Sequence, residues 1–197
     1  IEGSGSNNLA NVVAVGNGQS GVYLFPPSLN YLNNYNVLTN VTASNNGYYG
    51  IYIGGSNNVL TNVTANKNGY GGFFRYDGIY IGGSNNTLRG IVAMNNGGHG
   101  IYIEGSGSNN LANVVAVGNG QSGVYLFPPS LNYLNNYNVL TNVTASNNNN
   151  GYGIYINGFN NTLTNVTASN NGLGIYIEGS NNTLFGSVLV GNSRCGI

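Results

Sequence analysis

Three features of this sequence predict an all-β solenoid, a parallel β-helix of about eight coils. A short unit recurs about every 22 residues, apolar residues alternate with period two inside it, and Asn or Gly stands wherever it must turn. The first strand of the unit reads G-[I/V]-Y-[I/L]. Its leading position is filled by Val22, Ile51, Ile79, Ile101, Val124, Ile154, Ile175 and Ile197, at spacings of 29, 28, 22, 23, 30, 21 and 22 residues. Regular coils therefore take 21–23 residues, and coils with a loop insertion take 28–30. A longer repeat overlies this one: residues 1–46 recur unchanged as 103–148 within a single domain spanning 1–197.

In the first strand Ile51 and Ile53 point one way and Tyr52 the other, the alternation of a strand with one buried face. The second run carries a leucine column, Leu9, Leu38, Leu60, Leu88, Leu111, Leu140, Leu163 and Leu184. Three residues later comes Val12, Val41, Val63, Ile91, Val114, Val143, Val166 and then Ser187, and an alanine column follows from Ala14 to Ala168, ending in Leu189. Between the first two columns only Asn or Gly occurs, the residues that enter the left-handed region at least cost, so a backbone corner is expected there. A second corner is expected at the glycines that precede each first strand, from Gly21 to Gly196. No stretch has helical periodicity long enough for three turns, which excludes helical solenoids.

The consensus G-I-Y-I-x-G-S-N-N-T-L-T-N-V-T-A-S-N-N-G resembles the right-handed parallel β-helix repeats of pectate-lyase-like enzymes, carbohydrate-binding surface proteins and many prokaryotic cell-surface proteins. The resemblance covers essentially the whole chain. It implies the right-handed solenoid, and it implies no particular activity, because that superfold hosts many. No active-site residue of its enzymes has a matching position here.

Composition narrows the function. The chain holds 42 Asn and 33 Gly but only four basic and four acidic residues, with no net charge. That leaves no positive field for nucleic acid or anionic lipid, and no apolar run long enough to insert in a membrane. The acidic list is Glu2, Asp77, Glu104 and Glu178. Glu104 and Glu178 share a coil position three coils apart, about 14 Å, too far for a carboxylate pair or a shared cation. His99 stands alone in a Gly-rich turn, where a solvated residue is expected, and Cys195 has no second cysteine to pair with. The reading therefore expects no catalytic residues, no metal, no cofactor and no enzyme.

Four features remain as candidates. The outward tyrosines Tyr23, Tyr52, Tyr80, Tyr102, Tyr125, Tyr155 and Tyr176 form an uninterrupted column that either braces the rod or meets sugars or a neighbouring rod. The loop 69–78 adds Phe73, Phe74, Arg75, Tyr76 and Asp77, the one place where aromatics, a cation and a carboxylate cluster. Sequons at Asn40, Asn62, Asn85, Asn142, Asn160, Asn165 and Asn181 invite N-glycosylation, although this composition supplies nearly as many by chance. Neither terminus offers a capping element. The apolar residues of the end coils, Ile1, Leu9, Val12, Ile175, Ile177, Leu184, Leu189 and Ile197, are expected to meet another copy head to tail or the remainder of a longer surface protein. The expected function is a non-enzymatic extracellular or cell-surface rod that builds a fibre, sheath or stalk. A carbohydrate-binding module using the tyrosines is the alternative, and an ice-binding protein a third.

Overall fold

A computed structural model describes residues 5–25, 34–70, 75–130, 134–149 and 151–197. Every regular element among them is a β-strand, and every strand pair is parallel. The strands fall into two sheets that run the length of the rod. One sheet stacks Val22–Leu24, Ile51–Ile53, Ile79–Ile81, Ile101–Glu104, Val124–Phe127, Tyr152–Asn157 and Leu173–Glu178. The other is built on Val37–Ser44, Val59–Asn66, Thr87–Met94, Asn110–Val117 and Val139–Ser146, each bent by a corner. At both ends of this sheet the corner divides the run into two short strands, such as Thr162–Thr164 and Thr167–Ser169.

Register is strict: Ile51 pairs with Val22 and Ile79, Leu60 with Leu38 and Leu88, Ala65 with Ala93. Like therefore stacks on like, and the interior is a set of aliphatic columns. Leu38 to Leu163, Val41 to Val166, Ala43 to Ala168 and the first-strand isoleucines from Ile51 to Ile175 are all buried, and together they form one continuous core. Each buried Ile or Leu contributes roughly 1.5–3 kcal/mol, and the gain accrues coil by coil.

The corner between the leucine and valine columns is left-handed throughout. Asn11, Asn40, Asn62, Asn113, Asn142 and Asn165 have φ of 53–56°, and Gly90 and Gly186 have φ of 63° and 60°. Each coil has further left-handed corners that the sequence reading does not single out, such as Asn45, Lys67, Asn95 and Asn147 after the alanine column and Asn57, Asn85 and Asn160 ahead of the leucine column. The glycines before the first strand serve a different need. A Cβ on Gly78 would stand 2.5 Å from the Asn96 amide nitrogen and 2.7 Å from the Gly100 carbonyl, and Gly50 and Gly100 are equally crowded. Here glycine makes room for the next coil.

Two internal asparagine ladders close the cross-section. One runs Asn7, Asn36, Asn58, Asn86, Asn109, Asn138, Asn161, Asn182 with amide-to-carbonyl distances of 2.8–3.1 Å. The other runs Asn17, Asn46, Asn68, Asn96, Asn119, Asn148, Asn171, Asn192 at 2.8–3.2 Å. In the second ladder every amide from Asn46 to Asn192 also donates to an alanine carbonyl, as Asn96 does to Ala65 at 2.9 Å. Each carboxamide oxygen accepts in addition the main-chain N–H of the preceding ladder residue, as Asn96 does from Asn68. Among the described residues no buried side-chain polar atom lacks a partner.

The apolar residues of the end coils vary in exposure. Ile175 is fully buried, because Gly174 and Ile175 donate to the carbonyls of Cys195 and Gly196, which lie across them. Leu9, Val12, Ile177, Leu184 and Leu189 are partly buried against the core, Ile197 is 69% exposed, and Ile1 lies outside the described residues.

Replacing Asn96 by Ala removes the oxygen that accepts from the main-chain and side-chain amides of Asn68, and the two N–H donations to Ala65 and Asn119, in a dry interior, and should lower the free energy of urea unfolding by about 3 kcal/mol or more. At the exposed corner, Asn142→Ala should cost about 1 kcal/mol because alanine resists positive φ, and Asn142→Gly should be nearly neutral.

Candidate functional site

The outward side of the seven-stranded sheet carries the chemistry. The sheet register places Tyr23, Tyr52, Tyr80, Tyr102, Tyr125, Tyr155 and Tyr176 side by side along the axis. Rings stack face to face at 4.7 Å for Tyr23 and Tyr52, 4.8 Å for Tyr52 and Tyr80, 4.5 Å for Tyr125 and Tyr155, and 5.5 Å for Tyr155 and Tyr176. The column is uninterrupted in sequence, but its stacking is broken once. Tyr102 stands at 87° to Tyr80 and 83° to Tyr125, and His99 takes its place with a ring 4.5 Å from that of Tyr125 at 23°. Since stacked rings spend their faces on one another, what they offer outward is rims and hydroxyl groups.

Two carboxylates hold those hydroxyls. Tyr80 donates to Glu104 in a short hydrogen bond, and Tyr155 and Tyr176 donate to Glu178 at 3.1 and 3.0 Å, beside Asn157 at 2.8 Å. Burial, then the hydrogen bond to Glu104, raises the Tyr80 phenol far above its ordinary value. Burial, then the Glu104 charge, does the same for Tyr102, and burial, then Asp77, for Tyr49. These groups remain neutral donors at every physiological pH.

A second column flanks the tyrosines, one residue before the glycine of each first strand. The main chain aligns Ser20, Tyr49, Asp77, His99, Ser122, Tyr152, Leu173 and Cys195, as in the donation of Gly50 to Asp77 and of Gly78 to His99. Within it Asp77 Oδ1 accepts from the His99 amide at 2.7 Å, His99 Nδ1 from the Ser122 amide at 3.1 Å, and Ser122 Oγ from the Tyr152 amide at 3.3 Å. Each side chain thus caps the main chain of the following coil. Asp77, His99 and Ser122 are not wired to one another through their side chains as a hydrolytic triad is. Because Nδ1 accepts, the neutral ring of His99 carries its proton on Nε2 and is a donor there.

These placements correct two expectations. His99 is not a solvated turn residue: it packs against Tyr102 and Tyr125, and burial lowers its pKa to about 4. Asp77 is not an exposed contact: it is 5% exposed, and burial raises its pKa to about 7 against the opposing pull of the His99 amide. Of the rest of that loop, Tyr76 packs on Tyr48 and Tyr49 with ring centroids 4.6 and 4.9 Å apart, Arg75 is exposed and donates from Nη1 to the Gly120 carbonyl at 3.2 Å, and Phe73 and Phe74 lie outside the described residues. The flanking column escaped the sequence reading because its members share no residue type.

The two columns frame two open furrows. One, of about 410 Å³, is lined by Gln19, Ser20, Tyr23, Tyr48, Tyr49 and Tyr76. The other, of about 440 Å³, includes His99, Tyr102, Gln121, Ser122, Tyr125 and Tyr152 in its lining. A wider hollow at the corner of Asn45, Lys67 and Asn95 is lined chiefly by glycine and carboxamides, with Tyr70 its one aromatic ring. The seven sequon asparagines, Asn40, Asn62, Asn85, Asn142, Asn160, Asn165 and Asn181, all occupy exposed corners with φ of 53–57°. Four of them lie in the corner column, where Asn40 donates to Asn11 at 3.0 Å and Asn165 to Asn142 at 3.3 Å. Among the described residues no group of three or more His, Cys, Asp or Glu gathers at one place.

Titration of the flanking column should be visible in stability. Asp77 ionises near pH 3.8 unfolded and about 7 folded, so its contribution falls as pH rises between those values. His99 protonates near pH 6.5 unfolded and about 4 folded, so its contribution falls as pH drops through that window. The two slopes oppose each other in the wild type. Thermal melts of Asp77→Asn should therefore rise steadily from pH 4 to 6.5, and those of His99→Gln should decline from pH 4 to 7.

No curated protein sequence matches the chain. Among solved structures, the Azotobacter vinelandii mannuronan C-5 epimerase AlgE4 A-module superposes with a TM-score of 0.75 at 17% identity, over 96% of this chain and 55% of that one. Geobacillus virus E2 ORF18 superposes with a TM-score of 0.57 at 13% identity, over 96% of this chain and 47% of that one. The chain spans about half the length of either. At such identities the likeness is one of fold. It nevertheless overturns the expectation that the chain is not an enzyme, since the first of these rods is one. That expectation rested on the sparse and scattered carboxylates and on a His99 taken to stand alone. The family described as the right handed beta helix region matches residues 1–136 and 77–197, which together span the whole sequence, and this chain belongs to it.

Proposed function

We propose that this chain binds a linear polysaccharide along its tyrosine face, with the glycan lying parallel to the rod axis, outside the cell or at its surface. One observation carries the reading: tyrosine rims and hydroxyls, neutral amides and a histidine N–H line two furrows on one straight face. Sugars offer apolar C–H patches and a dense set of hydroxyls, and a surface of aromatic edges with fixed neutral donors and acceptors complements both. The likeness in fold to a mannuronan C-5 epimerase module, mannuronan being itself a polysaccharide, supports the same substrate class. Charge refines the choice. Glu104 and Glu178 lie on this face, with Arg75 beside the second furrow, so a neutral glycan is favoured over a polyuronate.

Calorimetric titration with neutral and uronate polysaccharides checks this reading. Neutral polymers should bind more tightly, and Gln121→Ala with Tyr125→Ala should weaken binding at least tenfold. Tyr70→Ala, an exposed tyrosine on another corner, should leave it unchanged. Equal binding by all these proteins, or none by the wild type, would refute it.

A second reading has its own support. His99, Asp77 and the Tyr80–Glu104 pair combine strong pKa shifts with proximity to a furrow, a pattern that marks sites of proton transfer. On this reading the rod also modifies the sugar it holds. Incubation with mannuronan and neutral glycans, followed by proton NMR, should show a change in the polymer that Tyr102→Phe or His99→Gln slows at least tenfold. An unchanged spectrum with every polymer would discard it.

A further inference from the structure

The repeated segment does more than lengthen the rod. Residues 1–46 and 103–148 are identical, and their offset of 102 residues corresponds to four register steps, from Tyr23 through Tyr52, Tyr80 and Tyr102 to Tyr125. A whole number of turns returns the second copy to the same face of the solenoid. Gln19, Ser20 and Tyr23 of the first furrow accordingly reappear as Gln121, Ser122 and Tyr125 of the second.

The local geometry repeats as well. Tyr23 stacks on Phe25 at 5.6 Å and 15° and on Tyr52 at 4.7 Å, while Tyr125 stacks on Phe127 at 5.7 Å and 15° and on Tyr155 at 4.5 Å. Tyr49 and Tyr152 occupy the same place beside the two serines, donated to by Gly21 and Gly123. At the strand spacing, four steps separate the furrows by about 19 Å. The surface between them runs straight past Tyr80 and Tyr102.

We infer that the two furrows are equivalent subsites for one and the same glycan chain, so that the rod is a bivalent reader of polymer length. A linear polysaccharide is the partner whose own chemistry repeats along an axis, so it can present the same group to both furrows. This inference rests on the polysaccharide reading above and goes further in assigning two sites, their residues and their spacing. A ligand too short to reach from one furrow to the other fills each independently. A longer one fills both, and its second contact forms at the high effective concentration of a tethered group, which strengthens binding by about 10²-fold or more.

The experiment uses the whole chain and two probes of the glycan series that the titration above selects, a disaccharide and an octasaccharide. The disaccharide should bind with two molecules per chain. The octasaccharide should bind with one per chain, about 10²-fold tighter. Gln19→Ala with Tyr23→Ala, or Gln121→Ala with Tyr125→Ala, should each return the octasaccharide to disaccharide affinity. The single changes Gln19→Ala and Gln121→Ala, both at exposed positions, give the same test where the double variants fold poorly. Binding without length dependence, or an octasaccharide affinity untouched by changes in one furrow, would overturn bivalence and leave the polysaccharide reading standing. Absence of binding by any glycan would overturn both.

Discussion

Everything in this rod depends on the buried carboxamides being satisfied from one coil to the next. An asparagine in a dry interior costs several kcal/mol unless its groups are paired, and here the partner is always the same residue one turn away. That requirement fixes axial register to a single residue. A slip would strand two ladders at once and put tyrosines where isoleucines belong. The aliphatic columns supply most of the stabilisation, whereas the amide ladders supply its specificity.

Much of this was legible in the sequence because a solenoid writes its register as a period. Once Leu38, Leu60 and Leu88 are aligned, the inward and outward faces follow from alternation, and the choice of Asn or Gly at Asn40, Asn62 and Gly90 gives the left-handed corner. Other features were not legible, for two reasons. The glycine at Gly78 looks like a turn residue, yet it answers a steric demand from Asn96 and Gly100 that exists only after coils stack. The flanking column of Tyr49, Asp77, His99 and Ser122 has no residue type in common, and pattern recognition ranks columns by sameness. The candidate site is therefore half visible in the sequence: the tyrosines and Asp77 stand out there, whereas the burial of Asp77 and the packing of His99 on Tyr102 and Tyr125 do not.

The scarcity of charge gives the titratable groups unusual weight. Asp77 and His99 sit on adjacent coils, each shifted by burial toward its neutral form, and each accepts a main-chain amide from the turn beneath it. The face consequently carries little charge at neutral pH beyond Glu104, Glu178, Arg75 and a partly ionised Asp77. Such a face offers a ligand shape, ring edges and oriented hydroxyls more than charge.

The literal copy of residues 1–46 also bears on how the chain acquires its shape. Two interchangeable segments create a decoy: a growing rod could seat the second copy where the first belongs and expel the intervening coils as a bulge. Ladder closure counters this, since neighbouring turns join through loops of only about 20 to 30 residues, whereas the decoy must close one of about a hundred. Assembly that proceeds turn by turn from a nucleus never presents the wrong copy with an open edge, so duplication remains safe as long as zipping outpaces collapse.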